Sequence, residues 1–150
     1  MLLLPPATDR VVPTELGYGV DLSCVTDLTP TLEEVDPRSQ RAISEAVVRR
    51  YITPRGGVID DQAYGLDLRS NCNRGITTDA LNRLAGSVRA EAKKDDRVEE
   101  ADATIRYDYA RARLPVQVTL TAKDLDEEFD LVFFVTADGI QLAESINKHG

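Results

Sequence analysis

Residues 98–135 read VEEADATIRYDYARARLPVQVTLTAKDLDEEFDLVFFV, and the period of this stretch decides the fold. Ala101, Ala103, Ile105, Tyr107 and Tyr109 alternate with Asp102, Thr104, Arg106 and Asp108, the two-residue repeat of a strand with one apolar and one polar face. Leu114, Val116, Val118 and Leu120 begin the repeat again. From Phe129 through Leu131 and Phe133 to Val135 the run is apolar on both faces, as expected of a central or covered strand. The polar segment Lys123 to Glu128 forms the hairpin turn between the second and third strands, and Asp138-Gly139 is a further turn that leaves Ile140, Leu142 and Ile146 as a short tail.

Upstream the period changes to that of helices. Ile43, Val47 and Tyr51 recur at i, i+4 and i+8, with Ala46 beside them and Arg38, Arg41, Glu45 and Arg49 largely on other faces. Asp36-Pro37 supplies an N-terminal cap and a first helical residue with no N–H to satisfy, and Pro54 with Gly56-Gly57 ends the helix at Thr53. A second helix runs from a Thr77/Thr78 cap to about Lys94 with Leu81, Leu84, Ala85, Val88 and Ala92 on one stripe. Gly86 weakens that helix or admits another backbone. Val58 to Thr77 is a loop with room for one short helical turn. The expected fold is α+β: two main helices packed on a three-stranded, mainly antiparallel meander. Residues 1–29, with Pro5, Pro6 and Pro13 among apolar side chains, form an extended N-terminal arm, and residues 30–150 form the domain.

Charge and composition narrow the function. The 150 residues carry 26 Asp+Glu against 18 Lys+Arg, a net charge of −8. Phosphate binding needs a positive surface that releases counterions, so no nucleic-acid partner is expected. No apolar run approaches a membrane span, and Met1-Leu2-Leu3-Leu4 is stopped by Pro5-Pro6 without a basic segment before it, so neither anchor nor signal peptide is expected. Cys24 and Cys72 read as free thiols of a reducing compartment, with a single bridge between them left open. The one histidine, His149, leaves no zinc-ligand cluster, and no cofactor is expected.

The chemistry-bearing residues point away from catalysis. A two-carboxylate glycosidase needs one acid desolvated so that its pKa rises. Glu33-Glu34, Asp60-Asp61, Asp95-Asp96, Glu99-Glu100 and Asp126-Glu127-Glu128 all stand in polar turns or helix flanks, where solvated charge is the simpler reading. Neither cysteine has an internal histidine to act as base, and Gly56-Gly57 lacks the Lys-Ser/Thr of a phosphate loop. Arg55 reads as an exposed surface pair, whereas for Arg97 a buried or interfacial carboxylate pair and a surface pair stand equal. A hydrophobic meander with a free edge recruits another chain by strand addition or must be covered, which favours an assembly component over an enzyme.

The succession from Thr53-Pro54-Arg55-Gly56-Gly57, through Tyr64-Gly65-Leu66-Asp67-Leu68 and the second helix, to Asp95-Asp96-Arg97-Val98 resembles the baseplate wedge family of contractile tails. These are the gene-twenty-five-type, "lysozyme-like" sheath initiators of contractile phages, with relatives in type VI secretion and extracellular contractile injection systems. The resemblance covers roughly residues 28 to 146. Asp95-Asp96-Arg97 stands where the family has Glu-Pro-Arg: the arginine is kept, the acid shortened and the proline lost. Gln62-Ala63 stands where relatives often have a proline before Tyr-Gly.

The resemblance implies a structural protein, assembled in the bacterial cytoplasm into the baseplate of a virion tail or an injection-system particle. Its partners would be the sheath protein and other wedge proteins, with tail tube or hub beyond them. The implied contact residues are Arg97, Asp95 and Val98 at the junction, and Val116, Val118, Leu120, Leu131, Phe133 and Val135 at a strand edge. Arg55, Gly56, Gly57, Tyr64 and Gly65 mark the loop motif. A small muramidase and a generic adaptor of another acidic complex are the competing readings.

Overall fold

The computed structural model describes residues 21–22, 34–72, 76–125 and 127–147. Most of the expected arm, the boundary at residues 29 and 30, Cys24 and Asp126 lie outside those residues. In chain order come β1 (Asp21–Leu22), β2 (Glu34–Val35), α1 (Gln40–Ile52), a 3₁₀ turn (Leu68–Asn71), α2 (Thr78–Ala92), β3 (Val98–Ile105), β4 (Leu114–Ala122), β5 (Glu128–Thr136) and β6 (Gly139–Asn147). The fold is α+β.

β1 and β2 pair antiparallel as a separate two-stranded ribbon, so the chain within the expected arm returns to the domain at Asp21 and Leu22. The main sheet has the order β3-β4-β5-β6, every pair antiparallel. Among the described residues it therefore has four strands where three were expected. The expected tail is β6: Ile140 pairs with Val135 and Leu142 with Phe133, and a bulge at Ala143 then brings Glu144 opposite Val132 and Ile146 opposite Asp130. A bulge shifts the two-residue period by one, which hides the strand from a strict alternation test.

Leu114, Val116, Val118 and Leu120 of β4 and Phe129, Leu131, Phe133 and Val135 of β5 are all buried on one face of the sheet. Both helices add to the same core, α1 through Ile43, Val47 and Tyr51, and α2 through Ala85, Val88 and Ala92. Each fully buried Val, Leu, Ile or Phe side chain among them contributes roughly 1.5–3 kcal/mol. The ring of Tyr51 stacks on Phe133 at 5.5 Å between centroids, and its hydroxyl donates to the Val88 carbonyl at 3.1 Å. That bond ties α1 to α2 inside the core.

The helix boundaries follow from their caps. α1 starts at Gln40 rather than at Pro37, because Ser39 takes the capping role: its Oγ accepts from the Ala42 N–H at 3.1 Å. Asp36 instead accepts from the Arg38 N–H at 2.9 Å, closing a turn that precedes the helix. Thr53 is extended at the other end, as the following proline requires. Glu45, expected on the polar side, is buried and paired with Arg41 at 3.0 Å. α2 opens on Thr77, whose hydroxyl accepts from Ala80. A Cβ at Gly86 would meet nothing within 4 Å, so among the described residues no backbone approaches there and the glycine weakens the helix. Tyr109, expected to share the apolar face of the first strand, lies beyond β3 and is exposed.

Cys72 is a free, buried thiol that donates to the Val135 carbonyl at 3.5 Å, and burial pushes its pKa up. Among the described residues no helix is long and apolar enough to cross a membrane, and no group of acidic, His or Cys side chains is placed to hold a metal ion.

Candidate functional site

The residues singled out by sequence fall into three places. The first is the junction between α2 and β3. Arg97 Nε and Nη2 donate to the two oxygens of Asp95 at 2.9 and 2.7 Å, and the Arg97 backbone N–H adds a third bond to the same carboxylate at 3.0 Å. Both side chains are largely buried. The remaining nitrogen, Nη1, reaches the Pro37 carbonyl at 2.9 Å, so the fork joins this junction to the turn that precedes α1. Burial pushes the Asp95 carboxyl up, but the hydrogen bonds and charge of Arg97 outweigh it and hold the group below its ordinary range. Of the two readings open for Arg97, the carboxylate pair holds within the chain. Val98 follows as the first, buried residue of β3.

The second place is the loop from Thr53 to Asp67, and its organising residue is one that the sequence reading passed over. Glu91, on the inner side of α2, is only 1% exposed. Its carboxylate accepts from Lys94 Nζ at 2.8 Å, from the Gly65 backbone N–H at 2.9 Å, and from Arg50 Nη1 and Arg55 Nη2 at 3.3 Å each. The same cations then hold the loop: Arg55 Nε donates to the Gly65 carbonyl at 3.2 Å, and Lys94 Nζ to the Ala63 carbonyl at 2.7 Å. The Arg50 guanidinium lies 4.4 Å from the ring centre of Tyr64. Arg55 was expected as an exposed surface pair; its side chain is indeed largely exposed, but its partner is a buried carboxylate.

Burial raises the Glu91 carboxyl, and the hydrogen bonds from Lys94, Gly65 and Arg50 with the Lys94 charge more than reverse this, leaving it below its usual range. The neighbouring Tyr51 phenol is pushed well up by burial, with the Glu91 charge adding to the rise and Arg50 opposing it.

Three glycines of this loop stand where a side chain would be strained or blocked. Gly65 has φ +100°, and a Cβ there would collide with the Thr53 carbonyl, so the close approach that delivers its N–H to Glu91 excludes any side chain. Gly56 has φ +81° in the turn after Pro54. Gly57 is confined by the Pro54 carbonyl, 2.9 Å from where its Cβ would stand, and donates its N–H to the same oxygen at 3.0 Å. A sequence signal for Glu91 did exist: it stands three residues after Val88 and seven after Leu84, on the apolar stripe of its helix, where an unpaired carboxylate would be costly.

The third place is the sheet edge, and here the expected residues are corrected. Val116, Val118, Leu120, Leu131, Phe133 and Val135 belong to β4 and β5, the two inner strands, and are at most 1% exposed. They are core, unavailable to another chain because both neighbouring ladders are occupied. Among the described residues the edges of the main sheet are β3 and β6.

As for acid chemistry, the two buried carboxylates at these places, Glu91 and Asp95, are both held low, opposite to the shift a glycosidase general acid needs. Asp60, Asp61, Glu99 and Glu100 are exposed. Comparison of the chain with protein-family models and with curated proteins finds no match in either.

Proposed function

We propose that this chain is a structural component of a contractile-tail or contractile-injection baseplate that initiates sheath polymerisation, with residues 30–150 as its wedge domain and the preceding arm as an assembly element. The reading rests on the resemblance of the Arg55 loop, the second helix and the Asp95-Asp96-Arg97 junction to that family. One structural observation supports it: β6 is a nine-residue strand at the edge of the main sheet, without proline, and carries a single ionisable side chain, Glu144. Among the described residues its outer ladder has no partner. The opposite edge, β3, carries Glu99, Glu100 and Asp102 in exposed positions, the type of charge that discourages strand addition. An extended arm of the sheath protein would add to β6 as a fifth strand, with main-chain hydrogen bonds supplying affinity.

In this reading the particle assembles in the bacterial cytoplasm, and other wedge proteins contact the remaining surface. The test is a proline at a β6 position whose N–H points away from β5, placed once before and once after the bulge at Ala143. With the variant's melt unchanged, loss of sheath polymerisation on reconstituted wedges supports the proposal. Sheath assembly unaffected by either proline contradicts it.

A further inference from the structure

The Thr53 to Asp67 loop spends a buried carboxylate on its own rigidity, yet its tip adds nothing to the core. Ile59 is 90% exposed there. The tip is nevertheless ordered by short-range bonds: Gln62 Nε2 donates to the Val58 and Ile59 carbonyls at 3.2 and 3.3 Å, and the Asp61 side chain accepts from the Ala63 N–H at 3.0 Å. A single exposed aliphatic residue is ordinary. One held on a braced loop is a preformed projection that loses little freedom when it docks. Asp60 and Asp61, both exposed, make its flank acidic.

A matching concavity lies along the first half of α2. A groove of about 300 Å³ is walled by Ile76, Leu81, Leu84 and Leu114 and rimmed by Arg83 and Ser87. Arg83 is exposed and has no ion-pair partner among the described residues. The groove thus has an apolar floor with the cation of Arg83 at its rim, the complement of an isoleucine flanked by aspartates. Projection and groove stand toward opposite ends of α2, since the loop is bound at Glu91 and Lys94 whereas the groove begins at Ala80.

We infer that the occupant of this groove is the Ile59 tip of a second copy of the same chain, joined head to tail. Such a contact is heterologous, so it leaves one free tip and one free groove on every pair and closes only as a ring. It is small, and small interfaces hold weakly, so the expected dissociation constant is on the order of 100 μM. This inference goes beyond the proposed sheath-initiating role and involves neither β6 nor a sheath arm.

Sedimentation velocity of the full chain, from roughly 10 μM to roughly 1 mM, reads the prediction directly. The wild-type mass should rise with concentration, and added salt should oppose the rise because Asp60 and Arg83 face each other. Ile59→Asp removes the projection, and Ser87→Trp fills the groove from an exposed rim position; each alone should weaken association at least about tenfold. Mixed, they should form a 1:1 pair and stop, since only one tip and one groove remain. Should Ser87→Trp lower the melt, Arg83→Glu replaces it as the groove variant. A wild type that stays monomeric throughout overturns the inference, as does occupation of the groove by this chain's own N-terminal segment, which would produce that result. Variants that associate like wild type, or a mixture that yields no 1:1 pair, overturn it as well.

Discussion

Glu91 on α2 accepts a hydrogen bond at 2.9 Å from the backbone N–H of Gly65, 26 residues earlier in the chain. A carboxylate buried in this way is stable only because Arg50, Arg55 and Lys94 surround it. The cluster fixes the position of the loop that carries Tyr64 and Ile59 relative to the helix.

Replacing Glu91 with Gln keeps the size but removes the charge that three cations share. Loss of one member of a buried ion cluster costs about 3–5 kcal/mol when nothing compensates, and the exposure of Arg55 and Lys94 places the expectation nearer 2–3 kcal/mol. Urea unfolding should show a lower midpoint with an unchanged slope. Amide exchange at Gly65 should accelerate by more than the global loss of stability accounts for, because the loop opens locally. A midpoint equal to wild type would mean that the cluster contributes no net stability.

Acid should act through the same groups, and the sign is fixed by the direction of their shifts. Glu91 and Asp95 are held below their ordinary values, so each contributes stability that is fully present above the unfolded carboxylate pKa of about 4. That contribution is lost as pH falls through the lower, folded values. Stability should therefore be nearly level from about pH 7 to about pH 5 as far as these two groups are concerned, then fall steeply below about pH 4. Glu91→Gln should flatten the fall, and an unchanged acid limb in that variant would remove Glu91 as a cause.

How much of this was readable beforehand depends on whether the signal was local. The stripes of α1 and α2, the alternation of β3 and β4 and the apolar run of β5 are properties of consecutive residues, and Ile43, Val47, Tyr51, Val88 and Leu120 are buried as their spacing requires. β6 was missed because the bulge at Ala143 interrupts its period. With β6 missing, β5 took the edge position, and core residues such as Phe133 were assigned to a contact surface. Glu91 was missed for a different reason: its partners Arg50, Arg55 and Gly65 lie 41, 36 and 26 residues away, and only the folded chain brings them together. The pair Asp95 and Arg97, two residues apart, was within reach of sequence reading because both partners flank one turn.

Gly86 offers a test in the stabilising direction. It lies inside α2, partly exposed, and a Cβ there would touch nothing within 4 Å. Gly86→Ala should restrict the unfolded chain without straining the folded one and gain about 0.5–1 kcal/mol. A rise in the melting temperature checks this. A fall would mean that α2 has less room at this position than the structure indicates.

Arg97 is the position where charge and shape can be separated. Its guanidinium spends two nitrogens on Asp95 and the third on the Pro37 carbonyl, a bridge across 60 residues that a lysine ammonium cannot reproduce from a single nitrogen. Arg97→Lys keeps the charge beside Asp95 but gives up the planar fork, so it should cost about 1–2 kcal/mol, with the loosening concentrated in the turn before Ser39. Arg97→Ala leaves the largely buried Asp95 carboxylate without its counter-ion and should cost more, about 2–4 kcal/mol. Thermal melts of the two variants, with amide exchange over residues 36–42, distinguish the roles. If lysine matches wild type while alanine does not, charge alone matters and the Pro37 bond is incidental. If alanine matches wild type too, the junction contributes nothing to stability, and any role of Arg97 lies in contacts outside the chain.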